Sequence, residues 1–232
     1  MMADEKRMTV VEHLEELRER LIKSAIALAI ATLASLAFTG RLLKVLIAPA
    51  GIKPIFLRPT EMFVTYMRVA LVAGAALAMP VIVYQMIRFV LPALKPHERR
   101  YLYIIVPGAT FSFLLGLAFA YFAMLPFALR YLLTFGGDIA EAKWAIGEYI
   151  SFVTRLLLWA GVTFETPLLV FFLAKLGVIT SGMLSRYRKH AIVAMAVLAA
   201  VITPTPDPFN MMVVMLPLWA LYEIGVLLAK LA

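Results

Sequence analysis

The sequence predicts an all-α polytopic membrane protein with six transmembrane helices and both ends in the cytoplasm. Three observations carry that expectation. First, 63% of the 232 residues are hydrophobic and only 16% are charged, where a soluble domain carries about a quarter charged residues. Mean hydropathy is +0.92. Second, the apolar residues gather into long runs almost free of charge, the length of a bilayer crossing. Third, Lys and Arg are unevenly shared between alternate connections. Helices are the required form, because lipid cannot satisfy open strand edges. The short alternating segments of a barrel are absent.

The elements follow in order along one transmembrane domain, 1–232. Span 1 covers 21–40, with Lys23 near its inner end and able to reach the headgroups. Span 2 covers 66–89, with its charge-free run Val69 to Ile87 lying between Arg68 and Arg88. Span 3 covers 101–126, and no charge follows Tyr101 until Arg130. Span 4 covers 148–174, beginning at Glu148 and interrupted by one acid, Glu165. Span 5 covers 190–204 and span 6 covers 208–229. Two longer connections, after spans 1 and 3, carry Pro49, Pro54 and Pro59 and then Gly136 and Gly137. Both are expected to form short helices on the outer face. With the N-terminus inside, fourteen Lys and Arg lie inside and eight outside, which favours this orientation. Span 5 is short: its 13–16 apolar residues reach ~20–24 Å, against a hydrocarbon core of ~30 Å. Span 6 has Pro217 in its interior, where a backbone hydrogen bond is lost. A short span thins the bilayer or hides against protein. The expectation is local thinning beside spans 5 and 6, with Glu165 on an accessible concave face.

Several function classes fall away. There is no cysteine, so disulfide and thiolate-metal chemistry is excluded. The net charge of +8 is read as orienting charge that meets anionic lipid, not as a nucleic-acid surface. No G-x-x-x-x-G-K-[ST], H-E-x-x-H or G-x-S-x-G motif occurs. The histidines His13, His97 and His190 all fall at inner ends. No enzyme, cofactor or metal is expected. The N-terminus opens on Asp4, Glu5, Lys6 and Arg7 and does not read as a signal peptide.

The candidate residues form three groups. Glu165 sits mid-span beside Thr163 and Thr166, where an acid costs about 2.5–3.5 kcal/mol on insertion scales. It reads as a polar contact point, or as a protonated acid bonded to a hydroxyl. The second group is cytoplasmic: His13-Leu-Glu-Glu16-Leu-Arg18-Glu-Arg20 and Lys95-Pro-His97-Glu98-Arg99-Arg100. A carboxylate there can take a guanidinium through two parallel hydrogen bonds. Alternatively Glu15 and Glu19 are an i, i+4 pair on a helix surface, and Glu98 satisfies neighbouring arginines. The third group is Asp207 between two prolines, near Thr203 and Thr205, and Asp207 suits the cap of span 6. Glu223 lies near the inner end, within reach of the headgroups.

These residues, in their order and spacing, resemble the TatC family of twin-arginine translocase subunits. The resemblance rests on His13-Leu14 with Glu16-Leu17-Arg18 and Arg20-Leu21; Pro59-Thr60-Glu61 with Phe63; and Pro80 with Tyr84-Gln85 and Phe89. It continues with Pro92-Ala-Leu94 and His97-Glu98-Arg99-Arg100; Gly116 with Phe119-Ala-Tyr-Phe122 and Pro126; Phe164-Glu165 with Pro167; Thr203-Pro204 with Asp207; and Glu223-Ile-Gly225. Together they cover nearly the whole chain. The resemblance implies a concave bundle with short helices 5 and 6 in a prokaryotic cytoplasmic (inner) membrane. It implies a core receptor that binds the twin-arginine signal peptides of folded cargo proteins. Glu16 and Glu98 would take the arginines, with Arg18, His13 and Arg99 around them. It implies single-span partners of TatA and TatB type, docked near Thr203, Thr205, Asp207 and Met211. It further implies contact with other copies of the chain and export driven by the proton-motive force. Met211 and Met212 stand where family members can carry polar residues, and Pro208 follows the acid.

Two rivals are kept. An ion-coupled secondary transporter would use Glu165 as a proton relay, but the inverted repeat expected of such a fold is not visible. An intramembrane hydrolase is disfavoured by the missing motifs.

Overall fold

The computed structural model describes residues 10–51, 53–90, 102–134, 143–203 and 207–231. Helix α1 (Val10–Leu36) starts eleven residues before the apolar run of span 1. The extension is stabilised by i, i+4 ion pairs, Glu16–Arg20 at 3.0 Å and Glu19–Lys23 at 2.5 Å. The helix stops at Leu36, short of the expected Gly40, and the chain bends by 78° into α2 (Thr39–Ile47). At the bend the buried Thr39 hydroxyl donates to the Ser35 carbonyl at 3.0 Å, and Phe38 N–H donates to the same carbonyl. Carbonyls left over where a helix ends thus keep partners. Helix α2 turns Leu42, Leu43, Leu46 and Ile47 to the core and leaves Arg41 and Lys44 outside. It is one of the short helices expected in the first connection. For the second connection, residues 135–142 lie outside the described residues.

Helix α3 (Glu61–Val90) runs unbroken through Pro80 and packs along α1. Its contact face is Ala70, Gly74 and Ala78, all buried and four residues apart. Small side chains at that spacing let two membrane helices approach closely. A Cβ on Gly74 would stand 2.6 Å from Thr32 Cα.

Helix α4 (Leu102–Phe119) continues through a π-helical turn, Ala120–Met124, into α5 (Leu125–Thr134). No break occurs at residue 126, so this span extends beyond the expected end. Helix α6 (Ile146–Phe164) gives way at Glu165 to α7 (Thr166–Lys175). The physical reason is Pro167, whose missing N–H cannot bond the Thr163 carbonyl. Span 4 is therefore two helices joined at its acid. Then come α8 (Ser181–Arg186), α9 (Arg188–Ile202) and α10 (Pro208–Leu231).

Helix α6 is the centre of the core. Its Ile150, Val153, Leu156 and Leu157 pack with Leu125 and Leu129 of α5, Ile202 of α9, and Val214 and Leu218 of α10. Phe111, Phe122, Leu77 and Leu216 face outward and are exposed, as lipid-facing side chains are. Among the described residues, four helical stretches are long and apolar enough to cross a membrane, or five if α1 and α2 across their bend count as one span. Helix α9 has 15 residues and reaches only ~22 Å. Helix α10 is not short. Its 24 residues span ~36 Å, because Pro217 is accommodated without ending the helix. The length mismatch thus belongs to α9 alone.

The described residues contain no strand, only one parallel bridge, Ile55 with Ala145. Here Ile55 N–H donates to Trp144 O at 3.0 Å, and Ile146 N–H donates to Ile55 O at 2.8 Å. Glu61 completes this tie. Its Oε2 accepts from Leu57 N–H and Arg58 N–H, and its Oε1 from Gly147 N–H at 2.7 Å. Tyr149 and Tyr121 hydroxyls donate to the Leu46 and Val45 carbonyls of α2. One carboxylate thus binds the first connection to the start of α6. In a Glu61→Ala chain, amide hydrogen exchange at Leu57, Arg58 and Gly147 should accelerate together. Exchange at the Arg20–Gln85 end of α3 should stay unchanged, since opening is local.

Candidate functional site

The start of α1 and the end of α3 meet at the opposite end of α3 from Glu61. His13 stacks on Phe89 with ring centroids 4.3 Å apart and planes 14° apart. One turn further along α1, Glu16 Oε1 accepts from Arg20 Nη2 at 3.0 Å. Arg20 Nη1 in turn donates to Gln85 Oε1 of α3 at 3.3 Å. The side chains of Arg20 and Glu16 are 17% and 13% exposed. Glu16 Oε2 is buried and accepts no hydrogen bond among the described residues. The site is a nearly dry carboxylate with one oxygen satisfied and one not. Such an oxygen favours a cationic donor, because a charged acceptor gains most from a charge-assisted bond.

Of the expected cytoplasmic group, His13 and Glu16 come together with Phe89 and Gln85. Arg18 is exposed on the same helix. Glu98 and Arg99 lie outside the described residues. The spacing rule could have found the Glu16–Arg20 pair. It could not have found Gln85, which lies on another helix, 65 positions away.

The intramembrane group is not brought together as expected. Glu165 is 7% exposed, so the accessible concave-face position is not what the structure holds. The break between α6 and α7 turns the side chain into packed protein. Glu165 Oε1 has no hydrogen-bond partner among the described residues. The Thr163 hydroxyl is spent on its own helix, donating to Trp159 O at 2.7 Å. Thr166 is the partly buried first residue of α7. The Ser112 hydroxyl of α4 donates to the Phe164 carbonyl at 2.7 Å, tying α4 to the end of α6. Beside Thr163 lies a small apolar recess, lined by Met124, Ile202, Pro217 and Leu221 among others.

Asp207 does cap the last helix. Its Oδ1 accepts from Asn210 N–H at 2.8 Å and its Oδ2 from Asn210 Nδ2 at 2.9 Å. Thr203 is buried and donates to Ala199 O at 3.0 Å. Met211 is partly exposed beside them, and Thr205 lies outside the described residues. Glu223 pairs with Arg188 Nη2 at 2.7 Å and ties α10 to the start of α9.

No metal-binding cluster occurs among the described residues. The fold defines a polytopic helical membrane protein with a recessed carboxylate where the start of α1 meets the end of α3. A family model for the Sec-independent protein translocase protein (TatC) matches residues 12–217, and the chain belongs to this family. A Sec-independent protein translocase protein TatC of Carboxydothermus hydrogenoformans is 38% identical over 230 residues, covering 98% of this chain and 95% of that protein. A chloroplastic relative of the same description from Arabidopsis thaliana is 38% identical over 231 residues, covering 98% of this chain and 68% of that protein. A crystal structure described as a twin arginine translocase receptor, TatC, superposes with a TM-score of 0.87. It is 39% identical and covers 95% of this chain and 99% of its own. The protein is therefore an integral membrane component of a protein translocase, not an enzyme, and the transporter reading is not favoured.

Proposed function

We propose that the chain is the receptor subunit of a twin-arginine translocase and binds the signal peptides of folded cargo through Glu16 and Glu98. The observation that carries the proposal is the Glu16 carboxylate, recessed beside the α1–α3 contact with one oxygen unsatisfied. A signal arginine supplies a planar, permanently charged donor pair of the kind that oxygen lacks. Glu98 follows the end of α3 by eight residues and would take the second arginine, with His13, Arg18 and Arg99 around the pair.

In this reading the chain crosses a prokaryotic cytoplasmic membrane six times, with both ends inside. The short α9 counts as the fifth crossing, supported by its packing against α6 and α10. Single-span partners of TatA and TatB type dock near Thr203, Thr205, Asp207 and Met211, and the proton-motive force drives export. Further copies of the chain complete the assembly. The test is titration of the full chain in lipid nanodiscs with a signal peptide carrying Arg-Arg and with its Lys-Lys counterpart. Tighter binding of Arg-Arg is expected, and equal affinities would contradict the proposal.

Glu165 belongs to partner assembly in the same reading, not to signal binding. The unmet oxygen of this buried acid is open to a polar group from a neighbouring membrane helix only when partner docking parts the packing around it. Glu165→Leu should leave signal-peptide affinity within about twofold. Cargo export should fall about tenfold for each ~1.4 kcal/mol of partner docking lost. Export measured in membrane vesicles, beside peptide binding in nanodiscs, separates the two effects.

A further inference from the structure

The apolar stretch Ile146–Lys175 carries one cation well inside its length, Arg155 of α6. Its neighbours Thr154 and Leu156 are buried, but Arg155 is exposed. Its Nε donates to the Ser151 carbonyl at 3.2 Å. The guanidinium is thus drawn back along α6 towards the end of the bundle where Glu61 meets Gly147, the direction in which helical side chains lean. Both Nη groups are left without a hydrogen bond among the described residues, and Glu148, seven positions nearer the helix start, does not pair with them. A cation inside a span is costly unless it meets an anion or reaches the headgroups. Thirty helical residues measure ~45 Å against a hydrocarbon core of ~30 Å, so a centred span overhangs the core by ~7 Å at each end. Arg155 stands nine residues from Ile146, ~14 Å along the helix, and so ~7 Å inside the core edge. A long side chain turned back along the helix covers that depth and carries its charge to the edge.

We infer that Arg155 holds the phosphodiester of one phospholipid, from the leaflet at the Glu61 end, with an acyl chain laid along Leu158, Trp159 and Val162. These residues and Ser151 form one open stripe of α6, at the spacing of a single helix face. Along the stripe the order is polar Ser151, cationic Arg155, then apolar side chains, which is the order of headgroup, phosphate and acyl chain. The planar guanidinium presents paired donors that match two phosphate oxygens. The stripe has room beside it because α9 stops low. Ile202, the last residue of α9, shares a small recess with Leu156 and Ala160 of α6, so α9 does not flank the ~15 Å of α6 before Leu156. A lipid fits this face better than a second helix, since membrane helices approach closely over small side chains and Leu158 and Trp159 are large. The inference does not depend on the signal-binding role of Glu16.

The test uses the full chain in dodecyl maltoside, a detergent without phosphate, with Trp144→Phe and Trp219→Phe so that Trp159 is the only tryptophan. Brominated phosphatidylcholine and brominated diacylglycerol are titrated in as quenchers. They share acyl chains and differ in the phosphate headgroup, and the first has no net charge to be drawn to a basic protein. Phosphatidylcholine should half-quench Trp159 at about a tenfold lower lipid fraction than diacylglycerol. Arg155→Gln should abolish that advantage, and Arg155→Lys should keep part of it, as a point charge without the fork. Equal quenching by the two lipids in the Arg155 chain overturns the inference, and that comparison needs no Arg155 variant to fold. A phosphatidylcholine advantage that survives Arg155→Gln overturns the assignment to Arg155. Release of quenching by inorganic phosphate alone would make this a free-anion site and overturn the lipid. Release by a synthetic apolar helix with one glutamate, but not by its glutamine counterpart, would give the face to a partner helix and overturn it as well.

Discussion

Replacing Glu16 with alanine should weaken Arg-Arg signal-peptide binding by ten- to hundredfold, since a charge-assisted bond to a largely desolvated carboxylate contributes about 1.5–3 kcal/mol. Glu16 has the requisite setting: its side chain is 13% exposed, so solvent screens it far less than a surface pair. Glu98→Ala should add a loss of similar order if it holds the second arginine, and the double variant should bind at background. In the proposed reading both acids hold one peptide, so the separate losses need not add. Glu16→Gln is the sharper variant. It keeps the shape and one acceptor but loses the charge, and should recover only a small part of the affinity. The measurement is a fluorescence titration in nanodiscs, repeated at several salt concentrations. A loss from the alanine variant that vanished in high salt would point to distant steering instead of contact, because screening acts on separated charges. Removing Glu16 also strands Arg20 with only Gln85. Thermal unfolding of each variant, with amide exchange along α1, must therefore show the helix in place before the affinity is read.

The sequence made much of the frame legible. Apolar runs marked the helices because lipid demands them, but span 4 was read as one helix, and the break that Pro167 imposes between α6 and α7 was not read from them. Asp207 between prolines was readable as a cap because capping is local chemistry. What could not be read were contacts between distant positions. The 78° bend after Leu36 depends on side-chain bonds back to the helix's own carbonyls, which leave no composition signal. Gln85 under Arg20, Glu61 under Gly147 and Glu223 beside Arg188 join residues 65, 86 and 35 positions apart. Glu165 shows the limit most clearly. Its presence in a span was plain, but whether it faced a cavity or packed protein depended on which way α6 turned. Tertiary packing decided that, and buried it.

Gly74→Leu should be strongly damaging, and its effect should reach the proposed signal site without touching a polar residue. A Cβ at Gly74 would stand 2.6 Å from Thr32 Cα and 2.7 Å from Thr32 N. Those are backbone atoms of the facing helix, so no rotamer change relieves the overlap. Even Gly74→Ala is caught between two terms. Helix propensity favours alanine by about 0.8–1.0 kcal/mol, whereas overpacking costs about 1–3 kcal/mol, so the alanine variant should lose stability on balance. Leucine adds three carbons to the same clash and should exceed that range. Gly108→Ala is the control on α4: the nearest atom to its Cβ would be Leu168 Cδ2 at 3.8 Å, ordinary contact, and stability should hold or rise slightly. The functional consequence follows from the geometry of α1. Thr32 lies twelve residues along the helix from Arg20, ~18 Å at 1.5 Å per residue. Prising α1 from α3 at Thr32 tilts the segment that carries His13, Glu16 and Arg20. The 3.3 Å Arg20–Gln85 bond and the His13–Phe89 stack would both open. Gly74→Leu should therefore lower Arg-Arg affinity together with thermal stability in detergent, while Gly108→Ala changes neither. Full signal binding by a Gly74→Leu chain would mean that the α1–α3 contact does not hold Glu16 in position.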